Sequence, residues 1–294
     1  MPRNPGWFDE EFLRRLEGLR LACRRPGASE PEGPVLTRRR GQSIEFQSHR
    51  GYVPGDEFRH IDWNLAGRLD GLFVKQFARE QGRRVYLVVD DTASMGFGAP
   101  SKLAAAARAA AALGMLALAG AAVVRICPVR DRPAGASVFR GDASFGAMLG
   151  ALDRLAAAGT ASLARALQAA RRELDGPSTV ILLSDLWDDA GVEEAIRDLA
   201  GLQCELAVLR ILAPEEIDPV LAGKRLLVDS ETGRRHRLYI GEEERATYRA
   251  QLAQDDARWK AVCARHHAPF LRVSSAVPVT EVVLVLMREA GVVQ

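Results

Sequence analysis

Several oxygen-bearing side chains follow the ends of predicted strands or helices, where open parallel sheets hold their ligands. The continuous apolar runs Val85–Val89 and Thr179–Leu183 predict two buried strands. The chain after each run is polar, and so is the loop after the helix predicted to end near residue 158. The candidate ligands in these three segments are Asp90, Thr92, Ser94, Thr160 and Asp185.

All five candidates offer oxygen atoms. A hard dication such as Mg²⁺ prefers octahedral oxygen ligation and keeps several waters. Hydroxyls of Thr and Ser, with carboxylates nearby, supply such ligation without over-neutralising the ion. We therefore expect a site for Mg²⁺ or Mn²⁺ that leaves one coordination position open for an acidic residue of a partner protein.

The elements that position these residues alternate between apolar strands and helices. The run 85–89 is followed by an Ala-rich helix from about residue 102 to 119, and later apolar runs are again separated by helical patterns. This order is typical of an α/β fold with a mostly parallel sheet flanked by helices. The carboxyl ends of its strands then lie along one edge, which brings the candidate ligands together.

The pattern Asp90-x-Thr92-x-Ser94, with Thr160 and Asp185 after later elements, resembles the metal-ion-dependent adhesion site of von Willebrand factor A domains. Thr92 stands where Ser is commoner, and it keeps the hydroxyl. The resemblance implies a von Willebrand A-like, Rossmann-like fold, with these five residues around a divalent cation.

A longer resemblance lies upstream of the predicted site. The segment from Tyr52 to Trp63 reads Y-V-P-G-D-E-F-R-H-I-D-W, and Phe73–Glu80 follows it. Together they look like the signature of bacterial proteins in the Domain of Unknown Function 58 family. The resemblance implies an adaptor that works beside a MoxR-type AAA+ ATPase in chaperone-like assembly or maturation of other proteins.

The same reading divides the chain into three parts. Residues 1–42 are predicted as an N-terminal helix and a linker rich in Pro, Gly and Arg. Residues 43–84 are predicted as a small mixed β-rich subdomain, in which Trp63 is expected to anchor a core or an interface. Residues 85–294 are predicted as the von Willebrand A-like domain.

Two alternatives to the metal-dependent adaptor remain open on the sequence. Thr92-Ala-Ser94-Met-Gly96 is close to the nucleophile elbow of α/β-hydrolases, with Asp185 and later histidines in the matching order. Against an enzyme, Thr92 is β-branched at a strained position. The second alternative is a structural scaffold without metal, whose sequence would look nearly the same.

Composition limits the functional class and the cellular compartment expected for the protein. The 294 residues carry 40 Lys and Arg against 38 Asp and Glu, a net charge of +2, which argues against a dedicated nucleic-acid binder. The four cysteines form no C-x-x-C pair, as suits a reducing cytoplasm. The uncharged stretch 109–124 is shorter than a membrane span needs, so none is predicted. The basic N-terminal segment is predicted to be a solvated arm rather than a patch that binds phosphate or lipid; its arginines are Arg14, Arg15, Arg20, Arg24, Arg25, Arg38, Arg39 and Arg40.

Overall fold

The structure is a computed structural model. It describes residues 10–16, 19, 21, 45–53, 61–67, 71–78, 83–129, 137–174, 178–187, 190–202 and 204–293. Residues 54–60 of the segment that resembles the DUF58 signature, and most of the basic N-terminal segment, lie outside these residues. The chain divides into two compact units, one formed by Met1–Ala28 with Arg83–Gln294 and the other by Ser29–Gly82.

The smaller unit contains an antiparallel strand pair. Strand β1 (Glu45–Gly51) pairs with β2 (Phe73–Ala78), and a bridge joins Ile61 to Val74. Between the strands lies a short helix, α2 (Trp63–Ala66), which begins where the Asp62 carboxylate accepts the backbone N–H of Leu65 at 3.2 Å. Trp63, which the sequence predicted as an anchor, is 65% exposed instead.

The larger unit is built on a six-stranded, mostly parallel sheet. Its strands, in spatial order, are β10 (Phe270–Ser274), β7 (Cys204–Leu212), β6 (Ser178–Ser184), β3 (Arg84–Val89), β4 (Val123–Pro128) and β5 (Ser137–Arg140). The first five run parallel, and β5 pairs antiparallel with β4 at one edge. The central strands β3 and β6 are therefore covered on both faces, which explains why their sequences are continuously apolar.

Helices pack on both faces of this sheet. One face carries α1 (Glu10–Leu16), α3 (Lys102–Ala119), α4 (Phe145–Asp153) and a C-terminal segment in which α9 (Val279–Glu281) continues through the π-helical turn Val282–Leu286 into α10 (Met287–Glu289). The other face carries α5 (Leu163–Glu173), α6 (Val192–Ala200) and α8 (Glu242–Arg265). Alternate side chains of β3 divide accordingly, because Leu87 faces the first core and Val88 the second.

Helix α3 lies close to its neighbours because its side chains are small. Its N-terminal cap is Ser101, whose hydroxyl accepts the backbone N–H of Ala104 at 3.2 Å. A Cβ atom at Gly114 would lie 2.6 Å from the Met148 sulfur of α4, so a larger residue there requires the Met148 side chain to move. Among the described residues, α3 is the one helix long and apolar enough to span a membrane. A share of 72% of this helix is buried inside the protein.

Between β7 and α8 the chain forms a short helix and a hairpin. Helix α7 (Pro214–Ile217) begins two residues after β7 ends. Strands β8 (Gly223–Val228) and β9 (Arg235–Ile240) then form a separate two-stranded antiparallel sheet. The turn that joins them is closed by the bond from the Gly233 N–H to the Asp229 carbonyl, at 2.9 Å.

Candidate metal centre

The loop after β3 arranges three of the predicted ligands around one carboxylate. The backbone N–H of Asp90 donates to the Leu183 carbonyl at 2.9 Å, which extends the pairing of β3 with β6 into the loop. One carboxylate oxygen of Asp90 accepts two bonds from Thr92, from the backbone N–H at 3.1 Å and from the hydroxyl at 2.7 Å. This tight Asx-type turn fixes the orientation of the Thr92 hydroxyl.

Thr92 and Ser94 bring two hydroxyls together. Their oxygen atoms lie 3.1 Å apart, with Ser94 in the 3₁₀ turn Ala93–Gly96 that follows the loop. Two ligands at right angles around Mg²⁺, each about 2.1 Å from the ion, lie about 3.0 Å from each other. The two hydroxyls lie within hydrogen-bond distance of each other, and the same spacing is compatible with two adjacent ligands of such an ion.

The second oxygen of the Asp90 carboxylate belongs to the neighbouring strand. It accepts the Ser184 hydroxyl at 2.5 Å, and Asp90 is almost fully buried. Burial raises the pKa of Asp90 above its ordinary value, and the nearby charge of Asp185 raises it further, whereas the hydrogen bonds from Ser184 and Thr92 oppose the change. A cation beside Asp90 would favour its charged form.

Asp185, at the end of β6, already has a cationic partner. One of its carboxylate oxygens accepts the backbone N–H of Trp187 at 3.2 Å. The other lies 2.7 Å from the Lys102 ammonium, which is fully buried at the start of α3. The same ammonium lies 2.6 Å from a carboxylate oxygen of Glu216 in α7. Lys102 therefore links Asp185, at the end of β6, to Glu216 in α7 through a group of three charged side chains.

Glu216 and Arg210 make further contacts around the Lys102–Asp185 pair. Glu216 also accepts the Trp187 indole N–H at 3.2 Å and the Ala213 backbone N–H at 2.8 Å. Arg210 donates to the Asp185 carbonyl at 3.0 Å, and its guanidinium lies 5.1 Å from the centre of the Trp187 ring. The backbone and the indole next to Asp185 are thus both held in place.

The loop that carries Thr160 lies against the β3 loop. The Ala93 backbone N–H donates to the Gly159 carbonyl at 2.9 Å, and the Ala158 N–H donates to the Asp91 carbonyl at 3.1 Å. Gly159 has a φ of +62°, a conformation that favours glycine. The Thr160 side chain is exposed. These two bonds place its residue beside the Asp90–Ser94 loop, in agreement with the topology expected from the sequence.

The donor set fits a divalent cation held mainly by hydroxyls. The described residues contain no group of three or more His, Cys, Asp or Glu side chains that could hold a metal ion by themselves. Thr92 and Ser94 would be the direct ligands, with Asp90 and Asp185 compensating the charge of the ion. Thr160 lies next to the Asp90–Ser94 loop, where its exposed hydroxyl could complete the set of ligands.

The enzyme alternative finds less support in the same geometry. The hydroxyl partner of Ser94 is Thr92, and no histidine of the described residues hydrogen-bonds to Ser94 or to Asp185. A serine nucleophile needs a base within hydrogen-bond reach. Among the described residues, Ser94 therefore has no such base within hydrogen-bond reach.

Sequence reasoning missed three residues that shape the site. Ser184, Lys102 and Glu216 were not predicted as site residues. Lys102 carried a weak signal, since it is the one charged residue in the first turn of a helix whose other charged residue is Arg108. Its contacts with Asp185 and Glu216 span 83 and 114 residues of sequence, so no local pattern could have shown them.

The fold and this site define an α/β protein with a mostly parallel sheet and a polar cluster at the carboxyl ends of its central strands. Residues 48–258 match the family described as "Protein of unknown function DUF58". The match covers more than half of the chain, so the chain belongs to the DUF58 family.

Two mycobacterial proteins are similar to the chain. The chain is 27% identical over 238 residues to "Uncharacterized protein Rv1480" of Mycobacterium tuberculosis (strain ATCC 25618 / H37Rv), covering 76% of this chain and 73% of the relative. "Uncharacterized protein Mb1516" of Mycobacterium bovis (strain ATCC BAA-935 / AF2122/97) matches to the same extent.

Two crystal structures from Bacteroides resemble the chain weakly. One is the conserved hypothetical protein BatB from Bacteroides thetaiotaomicron, with a TM-score of 0.43 and 14% identity over 71% of this chain and 98% of that one. The other is an aerotolerance-related membrane protein from Bacteroides fragilis NCTC 9343, with a TM-score of 0.40 and 14% identity over 65% and 92%. These scores are too low to identify the fold.

Proposed function

We propose that this protein is a metal-dependent protein-binding adaptor with a von Willebrand A-like larger unit. In this proposal Thr92 and Ser94 bind Mg²⁺ or Mn²⁺ directly, and Asp90, Thr160 and Asp185 complete the surroundings of the ion. The observation that carries it is the 3.1 Å separation of the Thr92 and Ser94 hydroxyl oxygens, of which the Thr92 hydroxyl is oriented by its bond to Asp90. A dication held by two neutral hydroxyls keeps enough charge to attract a further carboxylate.

The partner in this proposal supplies that carboxylate. An Asp or Glu side chain of a client or partner protein would occupy the open coordination position. The segment 52–80, which resembles the DUF58 signature, supports a further step, in which a cytoplasmic MoxR-type AAA+ ATPase works with this adaptor in chaperone-like assembly of other proteins. Neither a nucleic acid nor a membrane span is part of the proposal.

The metal step is tested by thermal unfolding with Mg²⁺ or Mn²⁺. An ion that binds only the folded state at one hundred times its Kd stabilises it by about 2.7 kcal/mol, which raises Tm by roughly 5–10 °C. We expect this shift in the wild type and not in Ser94→Ala or Asp185→Asn. The controls are Ser137→Ala in the edge strand β5 and Asp153→Asn at the end of α4, both exposed. A shift that persists in Ser94→Ala would place the ion elsewhere.

The partner step needs a separate measurement. The purified protein is immobilised and incubated with the MoxR-type ATPase of the same genome, in parallel with its Ser94→Ala and Ser137→Ala variants. We expect the wild type and Ser137→Ala to retain the ATPase and Ser94→Ala to lose it. Equal retention by all three proteins would contradict a metal-mediated contact.

One observation favours the metal-free scaffold as the second candidate function. The Lys102 ammonium already neutralises Asp185 in the buried interior, so this edge does not need a dication to be stable. A scaffold predicts that neither ion changes the Tm of any variant. The same unfolding experiment therefore separates the two candidates.

A further inference from the structure

The β8–β9 hairpin presents an apolar and basic face to solvent. On this face Leu226 and Val228 of β8 lie opposite Arg237 and Arg235 of β9. Val228 is 56% exposed, and Tyr239 on the same face is 67% exposed. Each exposed apolar side chain of this face therefore has a cationic residue as its cross-strand neighbour, including Tyr239, which pairs with a lysine.

The strands of the hairpin carry positive charge only. Its basic residues are Lys224, Arg225, Arg234, Arg235 and Arg237. The acidic residues, Asp229 and Glu231, both lie in the turn. The Asp229 carboxylate accepts the backbone N–H groups of Thr232 at 2.9 Å and of Glu231 at 2.8 Å. These bonds hold the pKa of Asp229 below its ordinary value, so this charge is engaged in fixing the turn.

The outer edge of β8 is open to pairing. Among the described residues the sheet has two strands, so none pairs with this edge. The edge contains the consecutive exposed residues Leu226, Leu227 and Val228, and it also carries Lys224 and Arg225, which discourage pairing with another cationic strand. A two-stranded hairpin is only marginally stable in water, and a third strand stabilises it.

Charge decides which kind of strand fits this edge. A second copy would bring another hairpin with an excess of three positive charges to within one strand spacing, about 4.8 Å, where like charges destabilise the pair. A lipid surface is disfavoured too, because an open strand edge leaves its backbone groups unpaired in hydrocarbon, and the turn carries Asp229 and Glu231. An acidic polypeptide satisfies both the charges and the backbone.

We infer that the outer edge of β8 is a docking site for an extended acidic segment of a partner protein, which adds to the hairpin as a third strand. Backbone hydrogen bonds along β8 supply affinity, as in other cases of strand addition. In an alternating segment, the carboxylates lie on the face that carries Lys224, Arg235 and Arg237, and the apolar side chains lie on the opposite face with Leu227 and Leu238. This inference does not depend on the proposed metal centre.

The test uses the full-length protein and fluorescence anisotropy of a labelled nine-residue peptide that alternates glutamate and valine. Two control peptides carry lysine for every glutamate or N-methyl groups on alternate backbone nitrogens. We expect the acidic peptide to bind, the lysine peptide not to bind, and N-methylation to weaken binding at least about tenfold, since it removes the backbone donors. Binding should also weaken as salt is added.

A charge-reversed hairpin supplies the variant arm. Lys224→Glu with Arg225→Glu should weaken binding of the acidic peptide by about tenfold or more, because cross-strand attraction becomes repulsion. The matched control is Arg171→Glu with Arg172→Glu, which reverses two adjacent exposed arginines at the end of α5. The control should bind the peptide as the wild type does, and circular dichroism melts verify that both variants fold.

Three outcomes would overturn the inference. Equal binding of the N-methylated and unmodified peptides would mean attraction by charge without strand addition. Sedimentation with anionic phosphatidylglycerol vesicles, without peptide binding, would assign the surface to a membrane. An absence of binding in every arm would remove the docking site.

Discussion

The Lys102 ammonium lies 2.7 Å from the carboxylate of Asp185 and 2.6 Å from that of Glu216, with no exposure to solvent. Its residue begins α3, and the two carboxylates come from the end of β6 and from α7. One buried cation therefore compensates two acids that belong to different elements. Lys102 already balances the charge of Asp185. Asp185 therefore attracts a dication less strongly than an unpaired carboxylate would.

Removal of the Lys102 charge should destabilise the fold. In Lys102→Met the aliphatic part of the side chain is kept, but two carboxylates lose their common partner. Breaking a buried ion pair from one side costs about 3–5 kcal/mol, and we expect a loss of about that size in the free energy of unfolding. Urea denaturation measures it.

The matched control for this change is Lys260→Met in α8, where the side chain is exposed. It should alter the free energy of unfolding by no more than about 0.5 kcal/mol. If Lys102→Met is as stable as this control, the three-charge group does not hold α7 to the sheet.

Mg²⁺ should also bind Lys102→Met more tightly than the wild type, because the competing cation is gone.

Asp90 should make stability fall as pH rises. Because burial raises its pKa in the folded state, the folded protein retains a proton that the unfolded chain has already lost. The stability from this group is complete below the ordinary carboxyl pKa, about 3.9, and is lost as pH rises through the raised value. Asp90→Asn lacks this titration.

The measurement is the free energy of unfolding of wild type minus that of Asp90→Asn, from about pH 4 to about pH 8 without divalent ions. We expect this difference to decrease with rising pH. Asp153→Asn, at an exposed position, should give a difference without that decrease. A difference for Asp90 that grew with pH would show that hydrogen bonds from Ser184 and Thr92 outweigh burial.

The Thr92 hydroxyl should matter both for stability and for ion binding. Thr92→Val keeps the shape of the side chain but removes the 2.7 Å donation to Asp90 and one proposed ligand. Loss of a buried hydrogen-bond partner costs about 1–3 kcal/mol. We expect that loss in urea denaturation, together with loss of the Mg²⁺-dependent rise in Tm.

Thr92→Ser is the control, because it restores the hydroxyl without the methyl group. It should recover the Mg²⁺-dependent rise in Tm and most of the stability. Recovery of stability without recovery of the rise would assign the hydroxyl to the turn alone. A rise in Thr92→Val equal to that of the wild type would remove Thr92 from the ligand set.

Sequence reasoning went furthest where the determinants are local. The sequence predicted Asp90, Thr92 and Ser94 as neighbouring oxygen ligands, and the structure brings their side chains together through contacts that each span two residues. Whether they bind a metal stays a prediction. The α/β architecture with a mostly parallel sheet followed from apolar strands alternating with helices. Helix α3 was likewise predicted from a local pattern.

What the sequence missed depends on contacts between distant elements. Lys102 at the start of α3 showed no pattern that pairs it with Glu216, 114 residues away. Trp63 was predicted as an anchor because large aromatic side chains are often buried, but its backbone at the start of α2 turns it outward. The antiparallel edge strand β5 has only four residues, too few for a reliable alternation.

Trp187 should report directly on occupation of the site. Its backbone N–H binds Asp185, its indole N–H binds Glu216, and it is about half exposed. A Mg²⁺ ion bound near Asp185 should change the electrostatic environment of the Trp187 indole. We therefore expect Mg²⁺ to change the intrinsic fluorescence with the same Kd that governs the rise in Tm. Trp187→Phe should keep the rise in Tm and lose the fluorescence change. A change that survives in Trp187→Phe comes from another tryptophan, such as the buried Trp259, and would point to a rearrangement away from Asp185.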